Sequence, residues 1–222
     1  MISGPRPRVM TAPAAAFETE SQPQSSAAVE AVRPGAVILA RHGEPALSRK
    51  CLISAARYRE WWGQYEVGGL RAGQTPPVAL IDAAAGAGAI YASSRPRAVE
   101  TAAAVSAGRE VMVDALFIEA PLPPPRLPDW IKLSPRWWGV VARCWWHLSD
   151  RHHQEETRAE AEIRAEQAAQ ALIARAAAGQ DVLVLAHGYF NHMVGRRMKA
   201  GGWRLVQNQG FKYWSQRRYE KR

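Results

Sequence analysis

Hydrophobic positions along this chain gather into short continuous runs. Ala36-Val-Ile-Leu-Ala40 ends at Arg41-His42-Gly43, Ala89-Ile-Tyr-Ala92 at Ser93-Ser94, and Val182-Leu-Val-Leu-Ala186 at His187-Gly188. A weaker run, Leu116-Phe-Ile118, ends at Glu119. Unbroken apolar runs of this length predict strands buried on both faces, as in a parallel sheet. Between them the period becomes helical. Arg95 to Ala107 follows a Ser94 N-cap, carries Pro96 in its first turn and stops at Gly108. Glu155 to Ala178 has an apolar stripe at Ala161, Ala165, Ala168, Leu172 and Ala176, and Gly179 ends it. Strands alternating with helices predict an α/β fold with a mostly parallel central sheet. No internal repeat is visible. Met1 to Pro34 shows neither period and is rich in Ala, Pro, Ser and Gln, so it is expected to be a disordered leader before a single domain over 35–222.

Ligands of open parallel sheets bind beyond the carboxyl ends of the strands. Four predicted strands end in polar residues there: Arg41, His42 and Glu44; Ser93, Ser94 and Arg95; Glu119; and His187. If the strands run parallel, these side chains converge on one crevice. Arginine forks match phosphate oxygens, and Arg95 also stands at a helix start, where free N–H groups favour an anion. Paired histidines suit a nucleophile or a proton carrier. A carboxylic acid suits protonation of an alkoxide. No Asp/Glu cluster or Cys pair suggests a metal ligand set, so metal and other cofactors are not expected and the arginines would neutralise phosphoryl charge themselves.

Composition narrows the class. The 222 residues are 47% hydrophobic and 22% charged, which excludes a wholly disordered chain. A formal net charge of +9 favours anionic partners. Two distant cysteines, Cys51 and Cys144, exclude a disulfide framework. There is no apolar signal-like stretch before Gly35, and the apolar runs are too short to span a bilayer. A soluble, cytoplasmic protein is expected.

The motifs resemble those of the histidine phosphatase superfamily, the phosphoglycerate-mutase-like proteins. The matching pieces are Leu39-Ala-Arg-His-Gly-Glu44, Tyr91-Ala-Ser-Ser-Arg-Pro-Arg-Ala98 with Glu100-Thr101-Ala102, Phe117-Ile-Glu119, Glu156-Thr157 leading to Arg164, and Val184-Leu-Ala-His-Gly188. The resemblance implies a three-layer α/β/α sandwich and a phosphomonoesterase working through a phosphohistidine. It makes His42 the nucleophile. Arg41, Arg95 and His187 would hold the phosphoryl group, and Glu119 would be the proton donor, with Glu44 as fallback acid. The stretch after Gly43, Glu44-Pro-Ala-Leu-Ser-Arg-Lys50, differs from the mutase pattern, which makes phosphoglycerate-mutase-type phosphotransfer the alternative reaction. A weakly catalytic lipid- or RNA-binding protein on the same scaffold is the alternative from another class.

Pro121 to Arg151 is an insertion with five Trp residues and a charge of +3. The three Trp-Trp pairs, Trp61-Trp62, Trp137-Trp138 and Trp145-Trp146, predict that one member of each faces a core while the other lines the pocket or meets a partner. Glu44, Arg97, Trp137 and Trp146 are the candidate outer-pocket residues. The expected substrate is a phosphorylated small molecule or headgroup bulkier than phosphoglycerate. Peripheral contact with an anionic membrane is a further expectation, whereas nucleic acid is not an expected partner. His147, His152 and His153 read as a solvated helix start. The basic run Phe211 to Arg222 reads as a solvated tail.

Overall fold

The computed structural model describes residues 32–149 and 155–221. The leader expected over 1–34 lies outside these residues except for its last three, as do His152 and His153. Six strands form one sheet in the order β3-β2-β4-β1-β6-β5: β1 is Val37–Arg41, β2 Ala89–Ser93, β3 Met112–Asp114, β4 Val182–Ala186, β5 Trp203–Asn208 and β6 Gln216–Lys221. β3, β2, β4 and β1 pair in parallel, and β6 pairs antiparallel with both β1 and β5. The sheet is therefore mostly parallel.

The strand residues alternate between two helical layers. Val37, Leu39, Val182, Val184 and Ala186 pack against α5 (Arg158–Ala176) and α6 (Gly188–Ala200). Ile38, Ala40, Ile90, Ala92, Leu183 and Leu185 pack against α2 (Val78–Gly86) and α3 (Pro96–Ser106). Both faces are covered, so an unbroken apolar run is what each strand requires. The α5 stripe Ala161, Ala165, Ala168, Leu172 and Ala176 is fully buried. Thr157 and Glu160 close a capping box that starts this helix later than its composition suggests. Helix α3 likewise starts after Arg95 rather than after Ser94.

A third core lies apart from the sheet. Helix α1 (Ala55–Val67) and helix α4 (Pro135–Leu148), the latter in the Trp-rich stretch, meet through Tyr58, Trp61, Tyr65, Trp138 and Ala142. Tyr58 stacks on Trp61 at 5.8 Å and on Trp138 at 6.0 Å between ring centroids.

Two expectations are corrected. The strand placed at Leu116–Ile118 is β3, Met112–Asp114, followed by a 3-10 turn at Ala115–Phe117. The Asp114 carboxylate accepts the Leu116 N–H at 2.8 Å and ends the strand, while Phe117 enters the core. The basic run after Phe211 is no solvated tail. It contains β6, which pairs with β1 in the interior of the sheet. Its cations are taken up locally: Arg218 pairs with Asp181 at 2.7 Å and Glu220 at 2.8 Å, and Arg217 spans Phe211 and the Gly210 carbonyl.

The Trp pairs divide as expected between core and outside. Trp138 and Trp146 are fully buried, while Trp137 and Trp145 remain 60% and 43% exposed. Trp138 also donates its Nε1–H to the Ile53 carbonyl at 2.6 Å. Trp138→Ala should therefore cost about 3–5 kcal/mol, against about 0.5 kcal/mol for Trp137→Ala, in urea unfolding monitored by circular dichroism.

Candidate active site

At the carboxyl ends of β1 and β4 a cavity of about 440 Å³ opens. Its floor holds Arg41, His42, Arg97, Glu119 and His187, and its outer wall includes Arg49, Trp62, Arg136, Val140 and Arg143. The parallel sheet thus brings together the polar ends of separate strands, as the chain direction predicts.

His42 and His187 are buried with ring centroids 5.1 Å apart. The Nδ1–H of His42 donates to the Gly43 carbonyl at 2.7 Å, leaving Nε2 with a free lone pair. His187 Nδ1 faces Arg97 Nη2 at 3.4 Å, which makes that nitrogen the acceptor, and its Nε2–H lies 2.9 Å from Ser93 Oγ. Burial first, then the Arg41 and Arg97 charges, hold the His42 imidazole well below its ordinary value of 6.5. His187 is lowered in the same way, by burial, by His42 and by Arg97. Both rings are therefore neutral near pH 7.

Arg97 carries no exposed side-chain surface. Its Nη1 donates to the Tyr65 carbonyl at 2.7 Å, its Nη2 to Glu66 Oε1 at 2.8 Å, and its guanidinium covers the Tyr65 ring at 4.4 Å. Thr101 Oγ donates to the Arg97 carbonyl at 2.6 Å and accepts the Gly43 N–H at 2.9 Å, so α3 holds the turn after His42. The Trp214 ring occupies the space a side chain on Gly43 would need, and Trp214 itself has φ of +62°. Arg41 donates to the Phe211 carbonyl at 2.5 Å and lies over the Tyr213 ring at 4.3 Å. Of the arginine nitrogens among the described residues, Nε of Arg41, Arg49, Arg95 and Arg97 and Nη1 of Arg143 are buried without a hydrogen-bond partner.

Glu119 sits before the first turn of α6. Its Oε1 accepts the Ala120 N–H at 3.0 Å and the Phe190 N–H at 2.8 Å, whereas Oε2 accepts a longer bond, 3.3 Å, from the Tyr189 N–H. The approach to Glu119 is fixed by Arg164, which donates to the Leu116 and Ile118 carbonyls at 2.9 and 2.8 Å and forks onto Glu156 at 2.6 and 2.7 Å. This accounts for the Glu156…Arg164 pairing in the sequence.

Several candidates are placed elsewhere than expected. Arg95 is absent from the cavity wall and pairs with Glu66 at 2.6 Å, while Arg97, two residues on in the first turn of α3, enters the cavity. Glu44 points away and pairs with Arg71 at 2.8 Å. Trp146 is sealed in the main core and Trp137 faces outward, so neither lines the pocket. The outer wall from α4 consists instead of Arg136, Gly139, Val140, Arg143 and Cys144, a face with spacings of 3, 1, 3 and 1. That helical period was the available signal for Arg143, and the four-residue step from Arg97 to Thr101 was the signal for Arg97. Arg49 and Glu66 had none.

A family model described as histidine phosphatase superfamily (branch 1) matches residues 37–213. The chain belongs to that superfamily. The histidine phosphatase fold is shared with a mycobacterial glucosyl-3-phosphoglycerate phosphatase solved with VO3: identity is 18%, TM-score 0.54, and coverage 83% of this chain and 92% of that one. A protein named mycobacterial hydrolase 1 aligns at 20% identity and TM-score 0.55 over 84% and 90%. No curated protein matches the chain by sequence.

Protonating two buried imidazoles beside arginines is unfavourable, so the unfolded chain binds more protons than the folded one below pH 6.5. Stability should fall as pH drops through that window. NMR titration of the imidazole C–H resonances should find His42 and His187 still neutral at pH 6.5. In the His187→Gln variant, the acid-induced loss of stability should be shallower.

Proposed function

We propose that this histidine phosphatase family member is a phosphomonoesterase that passes the phosphoryl group through His42. The observation carrying the reading is a neutral, oriented His42 whose free Nε2 faces a buried cationic cavity. In the first step Nε2 attacks phosphorus and the ester oxygen departs with a proton from Glu119. In the second, water attacks the phosphohistidine, Glu119 takes the proton, and inorganic phosphate leaves with His42 restored. Splitting the displacement in two keeps each barrier lower, and the preorganised donors hold the equatorial oxygens throughout.

The orphaned Nε groups of Arg41 and Arg97 would bind those oxygens, with His187 beside them. Arg97 thereby takes the position that the strand-end pattern gives to Arg95. Glu119 Oε2, the oxygen with the weaker backbone bond, is the atom that would carry the proton. The arginines supply the charge that a metal would otherwise provide. The outer wall of Arg49, Arg136, Arg143, Trp62 and Val140 fits a substrate with a sizeable apolar body beyond its phosphate.

Rapid-quench labelling with a ³²P-labelled ester, in EDTA-treated buffer, should trap acid-labile phosphate on wild-type protein. His42→Ala should remove both label and turnover while the circular dichroism spectrum stays unchanged. Label persisting in His42→Ala would refute the nucleophile, and loss of activity with EDTA, reversed by a divalent ion, would refute the metal-free route.

Glu119→Gln should slow alkyl phosphate hydrolysis by about 10²-fold or more, yet slow p-nitrophenyl phosphate far less, because a good leaving group departs without a proton. Equal slowing of both in steady-state kinetics would remove Glu119 from the donor role.

A further inference from the structure

We propose that the outer face of α4 docks the protein on bilayers containing anionic lipid. Helix α4 has three faces. Trp138, Ala142 and Trp146 point into the protein, and Arg136, Val140, Arg143 and Cys144 line the cavity. The remaining face carries Trp137, Trp145 and Leu148, which are 60%, 43% and 85% exposed. Their spacing of 8 and 3 residues puts them on one side of the helix. Trp130, 80% exposed, stands in the segment leading into it.

Isolated exposed apolar residues are ordinary, but an aromatic ridge on one helix marks an interaction surface. The charges around it identify the partner. Exposed Arg126 and Lys132 lie in the segment leading into α4 and exposed Arg136 in its first turn, and Asp129 is the only acidic residue among the described residues from 121 to 149. A second copy of this chain would set these cations against their own equivalents. An anionic headgroup layer meets them with opposite charge, and Trp rings settle at the boundary between headgroups and acyl chains. The net charge of +9 adds to the attraction. Because Val140 and Cys144 belong both to this helix and to the cavity wall, docking would bring the cavity mouth to the lipid surface.

The test is cosedimentation with vesicles of phosphatidylcholine alone and of phosphatidylcholine mixed with phosphatidylglycerol. Wild type should pellet with the mixture and not with phosphatidylcholine alone. Trp137→Ser/Trp145→Ser/Leu148→Ser should partition at least about tenfold more weakly. Arg175→Ser/Arg204→Ser, which removes two charges away from α4, should bind within about twofold of wild type. Circular dichroism and a melting curve establish that the triple variant is folded. Should it not be, brominated lipid in the mixed vesicles must quench the Trp fluorescence of the wild type. Absence of binding, absence of quenching, or full binding by a folded triple variant would overturn the proposal. So would a dimer in sedimentation velocity that the triple variant dissolves, since the face would then belong to a second copy.

Discussion

A guanidinium with no access to water has to be neutralised and bonded from inside, and Arg97 is such a group. Glu66 neutralises it, the Tyr65 carbonyl and ring clamp it, and both come from α1. Through Thr101 its backbone fixes Gly43, and its Nη2 sets the acceptor nitrogen of His187. One buried charge therefore binds α1, α3 and the ends of β1 and β4 into a single arrangement. Burial first, and then neighbouring charges with Arg97 among them, keep both imidazoles neutral. Glu66 also holds Arg95, so it organises two arginines while standing outside the cavity wall itself.

Much of this was legible in the chain. Unbroken apolar runs name strands covered on both faces, and the residues after them name the floor of the cavity. Sequence could not say which of Arg95 and Arg97 enters, because two residues at a helix start differ in direction by more than half a turn. Strand β6 was hidden for another reason. Arg217 and Arg218 look solvated until Asp181, Glu220 and the Gly210 carbonyl take up their charges. The strand before Glu119 was misplaced because Asp114 ends β3 with a side-chain bond, a local contact that apolar patterning does not register.

Helix α4 shows how one element serves several tasks once the sheet is in place. Trp138 and Trp146 anchor it at opposite ends of the helix in two different cores. That double anchorage fixes its rotation, so Arg143 reaches the cavity between the Tyr189 and Trp146 rings, 3.8 and 4.8 Å from its guanidinium. Its Nη2 reaches the carbonyl of Ala120, the residue after Glu119. The outer cavity wall and the loop carrying Glu119 are thereby mechanically joined.

The Arg41 contact to the Phe211 carbonyl spans 170 residues of sequence, and the Trp214 ring closes over Gly43 from the same distant hairpin. Strand β1, the first of the described strands, lies between β4 and β6, which come far later in the chain. A growing polypeptide on the ribosome would hold Arg41 and His42 in hand long before either neighbour emerged. Such separations slow folding and leave early segments exposed meanwhile. Phosphoryl chemistry would consequently switch on late and all at once, when the hairpin arrives, rather than ripening gradually during synthesis.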